Sequence, residues 1–314
     1  MNHPRISELL IETKVFQDLD KPVILTSGAL GIYYINTEKL VQDNGEWEKF
    51  GDDSQAMIAH AVKMAEQHST FGEVIDILAE RVKEIIAGTN TFNTPLISGG
   101  QRRDWLFSGP VAAKLKVAHV SLYKDGRAEL FLPSYGEKDI LDKPGSLAGT
   151  QPIHIVDLIT EASSCYTIDT NGREMGWIPI IRNRGGKINN LIAVVSRLQG
   201  GEEMLANLNP PIKTIAEVVI DSAFLEEHSR FPTRALAYQR DPEAWTRKYL
   251  AQNGALSLLP FFDPQGSKLD RTKKFMSRYG EVLRESGKLV ELEDAVQSAY
   301  EMPLSLILHP QQDS

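Results

Sequence analysis

The sequence predicts an α/β fold, a mainly parallel sheet flanked by helices, with an N-terminal hairpin and a helical C-terminal extension. Three observations predict it. Short apolar runs near 94–97, 153–156 and 191–195 read as strands buried on both faces. Stretches with apolar residues at helical spacing separate them. Two β-rich runs, 22–28 and 32–36, surround a Ser-Gly turn and read as a hairpin.

At 314 residues the chain can hold one large domain or two smaller ones, and a boundary is expected near residue 235, giving 1–235 and 236–314. A net charge of -8 and an isoelectric point of about 5.5 argue against nonspecific nucleic-acid binding. The one cysteine, Cys165, excludes an intramolecular disulfide and fits a reducing compartment. No apolar run reaches membrane-spanning length and the N-terminus has no signal-peptide core, so the expected location is the cytoplasm, with neither membrane nor nucleic acid as a partner.

Residues 4–19 carry Ile6, Leu9, Leu10, Val15, Phe16 and Leu19 at spacing that mostly suits one amphipathic helix. The hairpin follows, then helices over 54–69 and 71–87, the latter with Gly88 as its stop. Thr94–Ser98 reads as a strand running into a glycine turn at Gly99-Gly100, with a helix from about Leu106 to Leu115. His119–Lys124 is a strand, Asp125-Gly126 a hairpin turn, and Ala128–Leu132 the return strand. Tyr166-Thr167-Ile168 reads as continuing a helix, Asn171-Gly172 as a turn, and Ile178–Ile181 as a short strand that Pro179 keeps from the sheet centre. Leu191–Val195 reads as a buried strand and Ile215–Ile220 as the last strand or the start of a terminal helix. Tyr238–Pro242 reads as a linker, and helices are expected from Pro242, over 268–286 and over 289–299. Phe261 and Phe262 read as packing.

The stretch 153–164, Ile-His-Ile-Val-Asp-Leu-Ile-Thr-Glu-Ala-Ser-Ser, organises the rest. A buried strand ends in an acid, then in small and hydroxyl residues, as where backbone N–H groups meet an anion. Asp157 is placed to accept from a ligand's hydroxyls, or alternatively to cap a helix.

This stretch resembles the phosphoribosyl pyrophosphate (PRPP) motif of the type I phosphoribosyltransferases, with Asp157, Thr160 and Ser164 on matching positions. Val156 replaces the first acid, Glu161 a hydroxyl residue and Ala162 a glycine. Ser27-Gly28 and Tyr33-Tyr34 resemble the N-terminal hairpin of orotate phosphoribosyltransferases, with Thr26 where that family has a lysine. Arg197, Gly200 and Gly201 match its Arg-x-x-Gly-Gly, and Lys124 its first hood lysine, although Tyr123 replaces the preceding arginine and Gly136-Glu137-Lys138 only distantly echoes the hood's end.

The resemblance covers about 20–225 and implies a type I phosphoribosyltransferase-like fold, with the hairpin and hood region in about 1–50. It implies transfer of phosphoribose from PRPP to orotate, Mg2+ bound with PRPP, and a homodimer. It assigns Lys124 and Asp157 to catalysis, and Thr160, Glu161, Ala162, Ser163, Ser164, Gly99 and Gly100 to PRPP or phosphate. Arg102 and Arg103, with a non-proline cis peptide in their loop, would bind the diphosphate; the pair can clamp an anion bidentately or form a surface ion-pair loop. Thr26, Ser27, Tyr33, Tyr34 and Arg197 would face substrate. The altered motif keeps two alternatives open: a non-catalytic PRPP- or nucleotide-binding regulator, and transfer to another base. Glu161 must point to solvent or pair with Arg102, Arg103 or Lys124 for the turn to accept a phosphate.

Overall fold

The protein's structure is a computed structural model that describes residues 2–25, 27–88, 95–131, 138–141 and 145–308. The chain divides into two compact units, 1–15 with 36–221 and 16–35 with 222–314. The division differs from the expected boundary at 235. The hairpin β1 (Phe16–Ile24) and β2 (Leu30–Ile35) groups with the C-terminal helices, because Ile24 and Leu30 share an apolar cluster with Leu250, Phe262 and Phe275.

The first unit is built on seven strands: β3 (Leu96–Gly100), β4 (Ala118–Leu122), β5 (Ala128–Phe131), β6 (Lys138–Ile140), β7 (Pro152–Ile159), β10 (Asn190–Ser196) and β11 (Lys213–Val219). Their order is β11-β10-β7-β3-β4-β5-β6. The first four pairings are parallel and the last two antiparallel, so β7 lies inside the sheet between two parallel neighbours. This is the predicted fold class, with 153–157 in an interior strand. A separate two-stranded hairpin, β8 (Thr167–Ile168) and β9 (Glu174–Met175), follows β7.

The helices of this unit are α1 (Pro4–Glu12), α2 (Ser54–Gln67), α3 (Ser69–Ala87), α4 (Arg103–Leu115), α5 (Trp177–Asn183) and α6 (Gly201–Ala206). Asp53 caps α2 by accepting from the Ala56 N–H at 3.0 Å. On α3 the predicted stripe Phe71, Val74, Ile75, Leu78 and Val82 is buried. Residues 104–112 of α4 are all buried.

Four expectations need correcting. The helix over 4–19 stops at Glu12, because Lys14 adopts a left-handed φ of 57 and Phe16 then enters β1. Gly99 and Gly100 belong to β3 and pair with Ser121 and Leu122 rather than forming the turn. The glycines allow side chains to lie on the strand: a Cβ on Gly99 would meet Ser108 Oγ at 2.1 Å, and one on Gly100 would meet Trp177 Cε2 at 2.2 Å. Residues 178–181 are helical, since Pro179 falls in the first turn of α5, where its missing N–H is no loss. Thr167-Ile168 is a strand, closed by the predicted Asn171-Gly172 turn. Thr94, Leu132 and Gly136-Glu137 lie outside the described residues.

The second unit carries α7 (Ser222–His228), α8 (Pro232–Arg240), α9 (Pro242–Asn253), α10 (Leu269–Glu285), α11 (Lys288–Tyr300) and α12 (Leu304–Leu308). The three predicted C-terminal helices are present. The expected linker at 238–242 is instead the end of α8, with Tyr238 buried and Asp241 capping α9 through the Ala244 N–H at 2.9 Å. Phe262 is fully buried in this unit's core and Phe261 packs against it, as expected.

Candidate functional site

The turn after β7 directs its carbonyls inward. Thr160 O accepts from the Gly201 N–H at 3.0 Å, Ala162 O from Cys165 at 2.9 Å and Tyr166 at 3.0 Å, and Ser164 O from Trp177 at 3.1 Å. The N–H groups of Glu161, Ala162, Ser163 and Ser164 meet no protein acceptor among the described residues. Ala162 adopts φ 55, a left-handed conformation that glycine adopts freely and other residues rarely. Successive unpaired amides around such a residue form a concave donor surface suited to an anion. The Glu161 side chain is exposed and pairs with none of Arg102, Arg103 or Lys124 among the described residues.

The start of α6 closes on this turn without room for a side chain. A Cβ on Gly201 would lie 2.5 Å from Thr160 O and 2.9 Å from Ala162 N. Gly201→Ala is therefore expected to lower stability by about 1–3 kcal/mol, read from the urea midpoint. An unchanged midpoint would contradict this close approach.

Asp157 lies in β7, 7% exposed. Its Oδ2 accepts from the Thr37 hydroxyl at 2.6 Å and stands 3.8 Å from Arg103 Nε, which is itself 3.6 Å from Glu38 Oε1. The alternative role of helix cap does not apply, because the residue sits within a strand. Asp104, on the first turn of α4, joins two strands: its Oδ2 accepts from Gly100 N–H and its Oδ1 from Asp157 N–H, each at 3.1 Å. Burial, reinforced by Asp157, pushes the Asp104 carboxyl well above its usual range and favours its neutral form. Burial also raises Glu38, with Arg103 opposing and Asp157 adding to the rise.

The loop between β3 and α4 contains a non-proline cis peptide, Gln101–Arg102. Gln101 accepts from the Lys124 backbone N–H at 2.9 Å through Oε1, tying this loop to the end of β4. The adjacent arginines diverge. Arg102 lies 5.3 Å over the Trp47 ring, while Arg103 turns to Glu38 and Asp157. The two guanidinium groups thus take different partners.

The remaining predicted residues divide between the units. Lys124 is exposed at the β4–β5 turn, and Arg197 is 7% exposed at the end of β10, its N–H donating to Ile159 O at 3.0 Å. Ser27, Tyr33 and Tyr34 belong to the second unit, where Tyr33 is buried against Phe16 and Tyr238 and Tyr34 is 44% exposed. Thr26 lies outside the described residues. Sequence reasoning missed Thr37, Glu38 and Asp104. An acid in the first turn of a helix was the one available signal, and it pointed to Asp104.

Among the described residues, no group of three or more His, Cys, Asp or Glu side chains is arranged to hold a metal ion, and no helix is long and apolar enough to cross a membrane. No family model and no curated protein matches the chain. Among solved structures it is similar to the orotate phosphoribosyltransferase of Aeropyrum pernix, at 14% identity and TM-score 0.46, over 71% of this chain and 98% of that one. It is also similar to the UMP synthase of Leishmania donovani, at 13% identity and TM-score 0.42, over 79% of this chain and 42% of that one. For the adenine phosphoribosyltransferase of Thermoanaerobacter pseudethanolicus, the identity is 16% and the TM-score 0.37, over 60% of this chain and 89% of that one.

Proposed function

We propose that the chain is a phosphoribosyltransferase of the orotate type, in which the turn 160–164 takes the 5-phosphate of PRPP and Asp157 its ribose hydroxyls. The observation carrying this reading is a row of backbone N–H groups without protein acceptors among the described residues, a few residues beyond a nearly buried carboxylate on an interior strand. A phosphate supplies the acceptors those amides lack. Transfer breaks the bond from the anomeric carbon to a diphosphate oxygen and makes one to a ring nitrogen, through a cation-like state. The residues' task is to position the base and offset the charge of the leaving diphosphate. Lys124, exposed beside the Gln101 loop, suits the second task.

Mg2+ would arrive with PRPP. Asp157 and Glu38 offer the hard oxygen donors that suit it, and the ion would neutralise diphosphate charge. A homodimer in the cytoplasm completes the reading, and sedimentation tests the dimer.

Calorimetric titration with PRPP and Mg2+ tests the whole. Asp157→Asn is expected to weaken binding by about 1.5–3 kcal/mol, roughly ten- to a hundredfold. Removing the turn's negative charge with Glu161→Thr is expected to tighten it and to raise turnover with orotate. No PRPP binding by either the parent or the Glu161→Thr chain would overturn the reading. The diverging arginines and Glu161 favour a second reading, a PRPP- or nucleotide-binding regulator. Tight binding without turnover would select it.

A further inference from the structure

Beside the anion turn is a pocket of about 520 Å³, within the size range of small-ligand sites. The β8–β9 hairpin forms one wall with Thr167, Glu174 and Met175. Trp177, Pro179 and Ile180 of α5 form the apolar floor, and Lys124–Gly126 the opposite rim. Arg184 fixes the remaining wall, since its guanidinium donates to Leu141 O, Ile180 O and Gly126 O.

Three features define what fits. The pocket shares Ser163 and Ser164 with the anion turn, so the unpaired amides of those residues lie at its edge. The acids on its rim are already engaged: Asp125 with Arg127, and Glu174 with the Tyr166 hydroxyl. The Lys124 ammonium has no ion-pair partner within 4.0 Å among the described residues. The mouth also carries an exposed apolar side chain, Met175, 44% exposed on a hairpin of two-residue strands. A solvent-facing apolar group beside a concave apolar floor gains by being covered.

We infer that this pocket binds a planar aromatic molecule bearing one anionic group, its rings on Trp177, Ile180 and Met175 and its anion toward Lys124, Ser163 and Ser164. Because the turn is shared, such a ligand competes with a sugar phosphate bound there. The competition rests on the reading of the turn proposed above; the pocket's own affinity does not. A ligand of this class would inhibit the proposed reaction by taking up Lys124, Ser163 and Ser164, which line this pocket.

The test uses the full chain, with naphthalene-2-carboxylate as probe, naphthalene-2-methanol as its neutral analogue, and ribose 5-phosphate as competitor. Saturable binding of the carboxylate is expected, with the neutral analogue weaker and Lys124→Ala weakening the carboxylate about fivefold. Thr167→Trp fills the pocket from an exposed position. It should weaken the carboxylate about tenfold and leave ribose 5-phosphate binding unchanged. No saturable carboxylate binding, or binding indifferent to both variants, overturns the inference. If ribose 5-phosphate fails to bind while the carboxylate binds and responds to Thr167→Trp, the pocket stands and the reading of the turn falls. If both bind without competing, the shared-turn part of the inference falls.

Discussion

A chain ending at residue 221 is expected to be insoluble, although it retains the whole seven-stranded sheet. The reason lies in how the sequence interleaves the two units. Residues 16–35 enter the second unit early, and their inward side chains depend on residues some two hundred positions later. Ile24, Leu30 and Tyr33 are each at most 1% exposed. Leu30 O accepts from the Tyr238 hydroxyl at 2.7 Å, and Asp18 accepts from Ser229 Oγ at 2.8 Å. Exposing three such side chains costs about 4.5–9 kcal/mol, at roughly 1.5–3 kcal/mol each. That is comparable to the net stability of a typical domain. The two-stranded hairpin left behind would also present unpaired edges.

The same geometry supplies the control. Val15 O accepts from the Asn36 N–H at 3.0 Å, so the two ends of the hairpin segment are adjacent within the first unit. A chain of 1–15 joined by a short Gly-Ser link to 36–221 should be soluble and cooperatively folded. If the plain 1–221 chain is equally soluble and melts as cooperatively, the hairpin does not depend on the later residues.

This interleaving also marks where sequence reading stopped. Strands buried on both faces were legible, because a run such as Ile153–Val156 or Leu191–Val195 has no polar face to hide. The amphipathic α3 and the helices after 242 were legible from spacing and caps. Pro179 misled, because proline suits the first turn of a helix as well as the edge of a sheet. Gly99-Gly100 looked like a turn because the reason for the glycines, Ser108 and Trp177 lying on the strand, is tertiary. The partition of the hairpin was invisible, since nothing local distinguishes Ile24 packing on Phe275 from Ile24 packing on the main sheet.

The site was legible where one strand and its turn carry it. Asp157 and residues 160–164 lie together because they are consecutive. Thr37, Glu38 and Asp104 come from other elements and meet Asp157 only once the sheet forms. The two arginines show the converse: adjacency in sequence placed their side chains in opposite company, Trp47 for one and the acids for the other.

Acidification from pH 7 to pH 5 is expected to destabilise the first unit through two histidines in the sheet interior. His119 and His154 are fully buried on β4 and β7, and burial holds each near a pKa of about 3, against 6.5 for an ordinary histidine. Their partners are hydroxyls: Ser108 at 2.8 Å and Ser121 at 3.3 Å for His119, and Ser98 at 3.0 Å for His154. No carboxylate ion-pairs with either ring within 4.0 Å among the described residues, so a proton there would be an uncompensated buried charge. The unfolded chain takes up both protons as pH falls through 6.5, whereas the native chain takes them up only near 3. Stability is therefore fully present above 6.5 and is lost on descending toward 3, at about 1.4 kcal/mol per histidine per pH unit. From 6.5 to 5 the pair costs about 4 kcal/mol. Asp104 acts in the opposite sense, because a carboxyl raised by burial binds its proton in the native state first. One proton there offsets at most about 2 kcal/mol over the same interval, leaving a net loss of about 2–4 kcal/mol. Urea denaturation at pH 7.0, 6.0 and 5.0 measures the slope. In a His154→Leu chain, whatever its absolute stability, the slope should fall by about 1.4 kcal/mol per pH unit. Equal stability of the parent at pH 7 and pH 5, or a slope untouched by His154→Leu, would show that these imidazoles do not govern the acid limb.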